Sequence, residues 1–269
     1  MPAFARAVVY PDSEEKIINL VSGLTARALP FKVIGGMTNL LIKDGIYHGV
    51  VIKTDKMSNE SSAENVVSCS CGMRMSRIIR SMASLGFGGM EGLFGIPGTV
   101  GGMVKQNAGA FGYEIKDRFV SAVCYYPADG RIAVLNRDEM RFAYRSSALS
   151  GGDAVLISAT FDFVTMPKED IDEKIKDFQA KRRENQPFEY PSLGSVFKRH
   201  SGQSAGYYID RSGLKGVSVG GAEISEKHAG FIINRGGATA YDYLKLIDIA
   251  KEKVYADFGI ELEEEIEII

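Results

Sequence analysis

Two glycine-rich segments carry the clearest signs of ligand-binding chemistry in this sequence of 269 residues. The first, residues 35–44, has two glycines followed by Thr38 and Asn39, and lies between two apolar runs. Consecutive backbone N–H groups in such a loop can form a nest that holds phosphate oxygens. The segment lacks the G-K-[ST] of a Walker A loop and the G-x-G-x-x-G of a dinucleotide-binding fold. Taken alone, it is equally typical of a tight structural turn.

The second segment is a stronger signal, because ten glycines fall between residues 86 and 112. Proline fixes one backbone dihedral there, while the glycines leave backbone amides uncovered, and threonine and asparagine side chains add hydrogen-bonding groups. The residues concerned are Pro97, Gly98, Thr99, Gly101, Gly102, Asn107 and Gly109. No lysine follows Gly95 until Lys105, which favours a diphosphate held mainly by backbone N–H groups.

Composition and charge exclude several classes of protein. The chain is 45% hydrophobic and 25% charged, as in an ordinary globular enzyme. Its 32 Lys and Arg against 34 Asp and Glu give a net charge of -2, which argues against nucleic-acid and polybasic membrane binding. It has no apolar run of about 18 residues and no apolar leader at its start, so we expect a cytoplasmic protein.

Cysteine and histidine are too few to indicate a disulfide framework or a metal site. Cys69 and Cys71 alternate along an expected strand, Cys124 stands alone, and three histidines occur in all. An odd number of cysteines in a chain of this size is typical of buried, reduced thiols. Because no histidine pair has a metal-ligand spacing, we expect no metal.

The elements that position the glycine-rich segments mix helices with short strands. The Asp129-Gly130 dipeptide predicts a hairpin turn, and Thr239 with Asp242 forms a capping box that predicts the start of the last helix. The expected helices cover residues 13–24, 75–85, 167–185 and the stretch from 240, and the expected strands cover residues 31–36, 48–54, 65–71, 119–136 as a hairpin, 154–164 and 260–269. This pattern indicates an α+β fold and not a doubly wound sheet.

Two of these helices have well-defined apolar faces. The expected faces are Met75, Ile79, Met82 and Leu85 on the second helix, and Tyr243, Ile247, Ala250, Val254 and Phe258 on the last helix. The helix from Pro167 is mostly charged, with a narrow apolar stripe, and looks like a connector. We therefore place a domain boundary close to this residue.

The glycine-rich segments and four later motifs together resemble the UDP-N-acetylenolpyruvoylglucosamine reductases of bacterial cell-wall synthesis. The later motifs are YRSS (144–147), QPFEYPSLGSVFK (186–198), SEKHAGFIIN (225–234) and LEEEI (262–266). They occur in the order typical of the family, and the resemblance runs from about residue 3 to the C-terminus. Because no tyrosine-bearing loop is inserted between Ser195 and the last helix, the chain is similar to the shorter, type II form.

The resemblance implies an α+β architecture with an FAD-binding domain in two parts, of the vanillyl-alcohol oxidase (PCMH) type, and a C-terminal α+β substrate-binding domain. The FAD-binding domain would cover residues 1–166, in subdomains of about 1–54 and 55–166, and the substrate-binding domain residues 167–269. The implied cofactors are FAD and NADPH. The implied partner is a small UDP-sugar substrate. We expect the protein to be a monomer, with no nucleic-acid or membrane partner.

The resemblance also implies a role for individual residues. Arg145 would stabilise negative charge on the substrate, Ser195 would donate a proton, and Glu265 would be the catalytic glutamate. The implied cofactor-binding residues are Gly35, Gly36, Met37, Thr38, Asn39, Leu40, Pro97, Gly98, Thr99, Gly101, Gly102, Asn107, Gly109 and Arg182, with Arg183 as the alternative to Arg182. The implied substrate-binding residues are Tyr144, Gly194, Lys198 and Arg199.

Three departures from the family pattern leave an alternative open. Arg199-His200 follows Lys198 where the family usually has Asn-Pro, and Met37-Thr38 replaces the usual Gly-Ser. Members of the family usually have a T-x-F-R-I-G-G-type segment before the position that corresponds to the first residue here, and this segment is not in the sequence. The alternative is a divergent paralogue that binds flavin or a UDP-sugar without catalysis, and an oxidase of the same superfamily is a third reading.

Overall fold

The computed structural model describes residues 4–269 and confirms the α+β class. The helices are α1 (Glu14–Ala26), α2 (Met75–Ser84), α3 (Val100–Lys105), α4 (Lys168–Asn185), α5 (Ala205–Arg211) and α6 (Ala240–Phe258). The strands are β1 (Phe4–Val9), β2 (Phe31–Ile34), β3 (Leu40–Leu41), β4 (Ile46–Lys53), β5 (Glu60–Ala63), β6 (Val66–Ser70), β7 (Phe87–Gly88), β8 (Gly109–Ala110), β9 (Tyr113–Glu114), β10 (Phe119–Tyr126), β11 (Arg131–Asn136), β12 (Val155–Asp162), β13 (Val164–Thr165), β14 (Ser192–Ser195), β15 (Ser218–Val219), β16 (Ala222–Ile224), β17 (Phe231–Asn234) and β18 (Glu267–Ile268).

Contacts divide the chain into two compact units. The N unit comprises residues 5–36 and 47–179, and the C unit comprises residues 37–46 and 180–269 together with Phe4. This grouping places the short segment 37–46 with the C-terminal part of the chain and divides α4 between Gln179 and Ala180. The domain boundaries expected from the sequence, after residues 54 and 166, stay predictions.

The N unit is built on a parallel pair and an antiparallel sheet. Strands β2 and β4 run parallel within the order β1-β4-β2, and a five-stranded sheet has the order β11-β10-β12-β6-β5. The β10–β11 hairpin turns where predicted, with Gly130 at a φ of +72°. Helices α1, α2 and α3 contribute to one core with β6, β10 and β12. The extension of the α2 face to Leu85 is wrong, because this residue lies past the helix end and is 60% exposed.

The C unit packs α5 and α6 with a four-stranded sheet of order β14-β17-β16-β15. The predicted capping box at the start of α6 is confirmed, with both reciprocal hydrogen bonds formed. The placement of Phe258 on the buried face is wrong: it is the last residue of α6, is 42% exposed, and its ring packs edge-on to Tyr208.

The expected strand over residues 260–269 is much shorter in the structure. Only Glu267–Ile268 forms a strand, which pairs in parallel with Leu40–Leu41. The stretch before it, residues 263–266, forms backbone hydrogen bonds with residues 196–198 instead.

Candidate active site

Arg145 lies at a corner of a four-residue turn in the N unit. Ala143 and Ser146 exchange backbone hydrogen bonds of 3.0 and 3.2 Å, which leaves Tyr144 and Arg145 as the corner residues. The φ of Arg145 is +53°, a left-handed conformation that costs a non-glycine residue about 1–2 kcal/mol. Its Nη2 donates to the Gly109 carbonyl at 3.1 Å, and its guanidinium carbon lies 5.0 Å from the centre of the Tyr144 ring. The turn therefore brings three of the predicted site residues together.

Gly35 and Thr99 bring the two glycine-rich segments into contact within the N unit. A Cβ atom at Gly35 would lie 2.1 Å from Oγ1 of Thr99, so the position does not accept a larger residue. Among residues 4–269 the Thr99 hydroxyl is one of a few buried side-chain groups with no hydrogen-bond partner. An unpaired buried group costs about 1–3 kcal/mol, so a ligand atom that pairs with it is stabilised there. The two loops thus fit a phosphate-bearing cofactor.

The remaining predicted cofactor residues of the N unit differ in accessibility. Their backbone surrounds the start of α3, which begins directly after Thr99. Gly36, Pro97 and Gly102 are exposed, whereas Gly98, Gly101 and Gly109 are half-buried. Pro97 has no N–H, and the Gly101 N–H donates to the Cys71 carbonyl at 2.8 Å, so contacts of these residues with a cofactor stay predictions.

Asn107 is fully buried, and its amide is engaged by the protein itself. Its Nδ2 donates to Glu114 Oε2 at 3.0 Å and to the Ala143 carbonyl at 3.1 Å, and its Oδ1 accepts the Lys116 N–H at 3.0 Å. The side chain thereby links α3 to the turn that carries Arg145. Its contact with a cofactor stays a prediction. Glu114 was not singled out from the sequence, although its place in NAGAFGYE, next to the glycine-rich segment, was the available signal.

Ser195 and Glu265 lie on neighbouring segments of the C unit. Ser195 ends β14, and the carbonyl of the next residue, Val196, accepts the Glu265 N–H at 2.7 Å and the Ile266 N–H at 3.4 Å. The Val196 N–H donates to the Gly230 carbonyl at 2.9 Å. Both predicted catalytic side chains are half-buried. A backbone hydrogen-bond ladder therefore joins the GSVFK and LEEEI motifs.

Asn39 connects the first glycine-rich segment to the same ladder. Its Nδ2 donates to the Glu265 carbonyl at 3.0 Å, and its own carbonyl accepts the Glu267 N–H at 2.9 Å. Leu40 follows as the partner of Glu267 in the strand pair. Met37, with a φ of +57°, and Thr38 precede this contact. A predicted cofactor residue thus also holds the segment that carries the predicted catalytic glutamate.

The other predicted residues of the C unit include several cations. Lys198 forms an ion pair with Glu263, and its backbone N–H donates to the Glu263 carbonyl at 2.8 Å. Arg199 is exposed, whereas Arg182 is 7% exposed and burial lowers the pKa of its guanidinium. Gly194, at a φ of +78°, falls where β14 departs from regular pairing just before Ser195.

His228 of the SEKH motif has a defined protonation pattern. Its Nδ1 accepts the Gly230 N–H at 3.1 Å, so in the neutral ring the proton is on Nε2. Burial lowers the pKa of the imidazole, which keeps the ring neutral near pH 7. Ser225 is buried, and its Oγ accepts the backbone N–H of His228 at 3.3 Å. These contacts fix the loop that leads into β17.

Within residues 4–269, no group of three or more His, Cys, Asp or Glu side chains is arranged as metal ligands would be. No helix in the same range is long and apolar enough to cross a bilayer.

Comparison with known proteins agrees with the resemblance inferred from the motifs. Residues 186–269 match the family described as UDP-N-acetylenolpyruvoylglucosamine reductase, C-terminal domain, and residues 5–136 match the family described as FAD binding domain. The UDP-N-acetylenolpyruvoylglucosamine reductase of Caldicellulosiruptor bescii is 43% identical over 98% of this chain and 85% of its own length. That of Clostridium botulinum is 38% identical over 98% and 86%.

A solved structure gives the same result for the fold. The UDP-N-acetylenolpyruvylglucosamine reductase of Thermus caldophilus superposes with a TM-score of 0.82 at 32% identity, covering 97% of this chain and 91% of the other. Identity and coverage at these levels extend over both units. The chain therefore belongs to the UDP-N-acetylenolpyruvoylglucosamine reductase family.

Proposed function

We propose that the protein is an FAD-containing, NADPH-dependent oxidoreductase that reduces the enolpyruvyl group of UDP-N-acetylenolpyruvoylglucosamine to give UDP-N-acetylmuramate, a peptidoglycan precursor. The observation that carries the proposal is the 2.7 Å hydrogen bond from the Glu265 N–H to the Val196 carbonyl. It joins the backbone next to the proposed proton donor, Ser195, to the backbone of Glu265, in a chain of this family.

The glycine-rich segments are assigned to the cofactor. When bound there, FAD would supply hydride transfer from NADPH to the methylene carbon of the substrate. The close contact of Gly35 with Thr99, and the unpaired Thr99 hydroxyl, support a phosphate-binding role for these loops. Backbone N–H groups in the same loops can donate hydrogen bonds to a diphosphate. These loops contain few lysine or arginine side chains that could bind it instead.

Arg145 is assigned to the carboxylate of the substrate. Hydride addition at the methylene carbon leaves negative charge on the adjacent carbon, delocalised into that carboxylate as an enolate. A guanidinium presents paired donors that match a carboxylate, and a fixed positive charge stabilises the enolate, which carries one more negative charge, more than the ground-state carboxylate. The hydrogen bond from Arg145 to the Gly109 carbonyl uses one side of the fork.

Ser195 is assigned to the proton that completes the reaction. Its hydroxyl gives a proton to the carbon beside the carboxylate, which turns the enolate into the saturated product. A serine hydroxyl is a weak acid, so the reaction needs a group nearby to assist it. Glu265 is assigned this supporting role, because its backbone is hydrogen-bonded to the residue that follows Ser195.

The cations of the C unit are assigned to the nucleotide end of the substrate. Arg199 is exposed, and Lys198 is held beside the LEEEI segment by its ion pair with Glu263. A nucleotide diphosphate carries two negative charges or more, and exposed cations attract it from solution.

Tyr144, which is 44% exposed beside Arg145, offers an aromatic face and a hydroxyl to the sugar.

A serine pair on β14 tests the proposal. Ser195→Ala should leave reduction of bound flavin by NADPH intact and slow reoxidation by the UDP-sugar by about 10²–10⁴-fold, the usual contribution of a positioned proton donor. Ser192→Ala, at the other end of the same four-residue strand, is the matched control and should reoxidise as the unaltered protein does. The measurement is anaerobic stopped-flow absorbance of the flavin.

Two outcomes would count against the proposal. If Ser195→Ala reoxidises at the unaltered rate, Ser195 is not the proton donor. If flavin bound to the unaltered protein is not reduced by NADPH, although the UDP-sugar binds, the non-catalytic paralogue becomes the better account.

We further infer that the protein works as a monomer in the cytoplasm on a small-molecule substrate, without a nucleic-acid or membrane partner. The support is the near balance of charge and three free, buried cysteines, which suit a reducing compartment. Analytical ultracentrifugation at micromolar concentration tests the monomer, and a sedimenting dimer would contradict it.

A further inference from the structure

The strained turn that carries Arg145 rests on a buried polar network. Asn107 follows the end of α3 in a left-handed conformation, with a φ of +42°. The Asn107 N–H donates to the Val104 carbonyl and the Ala108 N–H to the Met103 carbonyl, which is the hydrogen-bond pattern of a Schellman motif. Asparagine is among the few non-glycine residues that tolerate this conformation. The backbone of Asn107 is thereby fixed before its side chain makes any contact.

The Asn107 amide then fixes two other segments. One amide hydrogen is donated to the Ala143 carbonyl, at the base of the Arg145 turn, and the other to Glu114 Oε2. Its Oδ1 accepts the Lys116 N–H. Because the residue is fully buried, water does not replace a lost partner. Three parts of the chain are held in register by one side chain.

Glu114 extends the network towards the guanidinium. Its Oε2 also receives the Lys116 ammonium at 2.6 Å, and its side chain and that of Asp117 complete a capping box over residues 114–117. A Cβ atom built on Gly109 would lie 2.9 Å from Glu114 Cγ and 3.4 Å from Arg145 Nη1. The carboxylate chain and the guanidinium therefore flank the same glycine, whose carbonyl accepts from Arg145.

The charge state of Glu114 also links this residue to Arg145. Burial alone would raise the pKa of the Glu114 carboxyl, but hydrogen bonds from Lys116 and Asn107, and the positive charges of Lys116 and Arg145, lower it overall. The group is thus a carboxylate near pH 7. A carboxylate attracts the Arg145 guanidinium, whereas a neutral amide of the same shape does not.

We infer that Asn107 and Glu114 are positioning residues for Arg145, fixing its turn through the Ala143 carbonyl and its guanidinium beside Gly109. The inference rests on the proposed role of Arg145 at the substrate carboxylate. In this role both residues act through Arg145. Their effect is on where the guanidinium is when the enolate forms, and a displacement of about 1 Å can cost about 10²-fold in rate.

Glu114→Gln is the sharper test, because the amide keeps the size of the side chain and can still accept from Asn107. We expect reoxidation of reduced flavin by the UDP-sugar to slow by about 10–100-fold. Reduction of the flavin by NADPH should change less than about threefold, and FAD should be retained. Glu139→Gln is the matched control, since that exposed carboxylate accepts the Asn136 N–H within its own turn.

A double-variant comparison separates positioning from a general structural effect. In an Arg145→Ala background, adding Glu114→Gln should slow reoxidation no further, because the group that it positions is gone. Asn107→Ala should resemble Glu114→Gln in the half-reactions. Glu114→Gln keeps the proposal testable should Asn107→Ala fail to fold.

A readout independent of activity is the ¹⁵N-detected side-chain NMR signal of Arg145, assigned by its loss in Arg145→Lys. We expect restricted rotation of the guanidinium in the unaltered protein and averaged Nη signals in Glu114→Gln. The proposal is overturned if the Arg145 signal is the same in both, or if both half-reactions fall together with loss of FAD. If the unaltered protein lacks both half-reactions, the proposed function fails, and the NMR comparison still decides the positioning role.

Discussion

Arg145 in the N unit and Ser195 in the C unit are held by different means. Arg145 sits in a left-handed turn whose base is fixed by the Asn107 amide. Ser195 ends a strand, and the residue after it is fixed on both sides by backbone hydrogen bonds to Glu265 and Gly230. A backbone ladder persists when neighbouring side chains change, whereas a side-chain contact does not. The geometry at Arg145 should therefore be far more sensitive to single substitutions than the geometry at Ser195.

Among the substitutions that follow, Arg145→Lys should slow the reaction most. Lysine keeps the charge but presents a point charge instead of a planar fork, so it cannot hold the Gly109 carbonyl and a carboxylate in the same way. We expect flavin reoxidation by the UDP-sugar to slow by about 10²–10³-fold. Arg141→Lys is the control, because Arg141 is also left-handed, at a φ of +46°, and is exposed. Equal rates in the two variants would contradict the role of Arg145.

Gly35→Ala tests the crowded cofactor loop of the N unit. The new Cβ would meet Thr99 Oγ1 at 2.1 Å, and overpacking of this kind destabilises by about 1–3 kcal/mol. We expect FAD affinity, measured by flavin fluorescence on titration, to fall at least about tenfold. Gly23→Ala lies inside α1 with its Cβ 3.4 Å from a flexible arginine, and should instead stabilise by about 0.5–1 kcal/mol. Unchanged FAD affinity in Gly35→Ala would show that the close approach of Gly35 to Thr99 does not contribute to cofactor binding.

Asn39→Ala should have a small effect, because it removes one side-chain hydrogen bond from a ladder that keeps its backbone bonds. The lost bond to the Glu265 carbonyl is worth about 1 kcal/mol, so turnover should fall less than about tenfold. Steady-state kcat measured beside that of Asn107→Ala gives the comparison directly. A larger loss in Asn39→Ala than in Asn107→Ala would reverse the contrast between the two units.

The cysteines offer the mildest test, since all three lie in the core of the N unit. Burial raises the pKa of Cys71 to about 12 and of Cys124 to about 11, and also raises that of Cys69. Unfolded thiols ionise near pH 8.5, so this contribution to stability is complete below that pH and is lost as the pH rises towards the folded values. We expect no thiol labelling of the native protein at pH 8, and N-unit unfolding that becomes easier above about pH 9. Rapid labelling of native protein at pH 8 would contradict the burial.

Local signals in the sequence predicted much of the fold. The Asp129-Gly130 hairpin and the capping box of Thr239 and Asp242 depend on neighbouring residues, and both are confirmed. The errors fall at helix and chain ends, where the hydrophobic period continues past the last packed turn. Phe258 is the clearest case, because it fits the apolar face of α6 and still lies 42% exposed at its end.

The candidate site was predictable only in part. The motifs predict Ser195 and Glu265 as catalytic residues, but the hydrogen bonds between their segments join parts of the chain that no local pattern pairs. Glu114 was missed for the same reason: its importance comes from Asn107 and Arg145, which the fold brings to it. Long-range polar contacts have no sequence period, so the structure was needed to find them.

We propose above that one bound flavin passes hydride from NADPH to the UDP-sugar. This transfer can be followed in the visible spectrum of the purified protein, recorded anaerobically through addition of NADPH and then of UDP-N-acetylenolpyruvoylglucosamine. We expect a flavin band that bleaches with NADPH and returns only when the UDP-sugar is added. A protein with no flavin band after reconstitution with FAD, or a band that NADPH does not bleach, would contradict it.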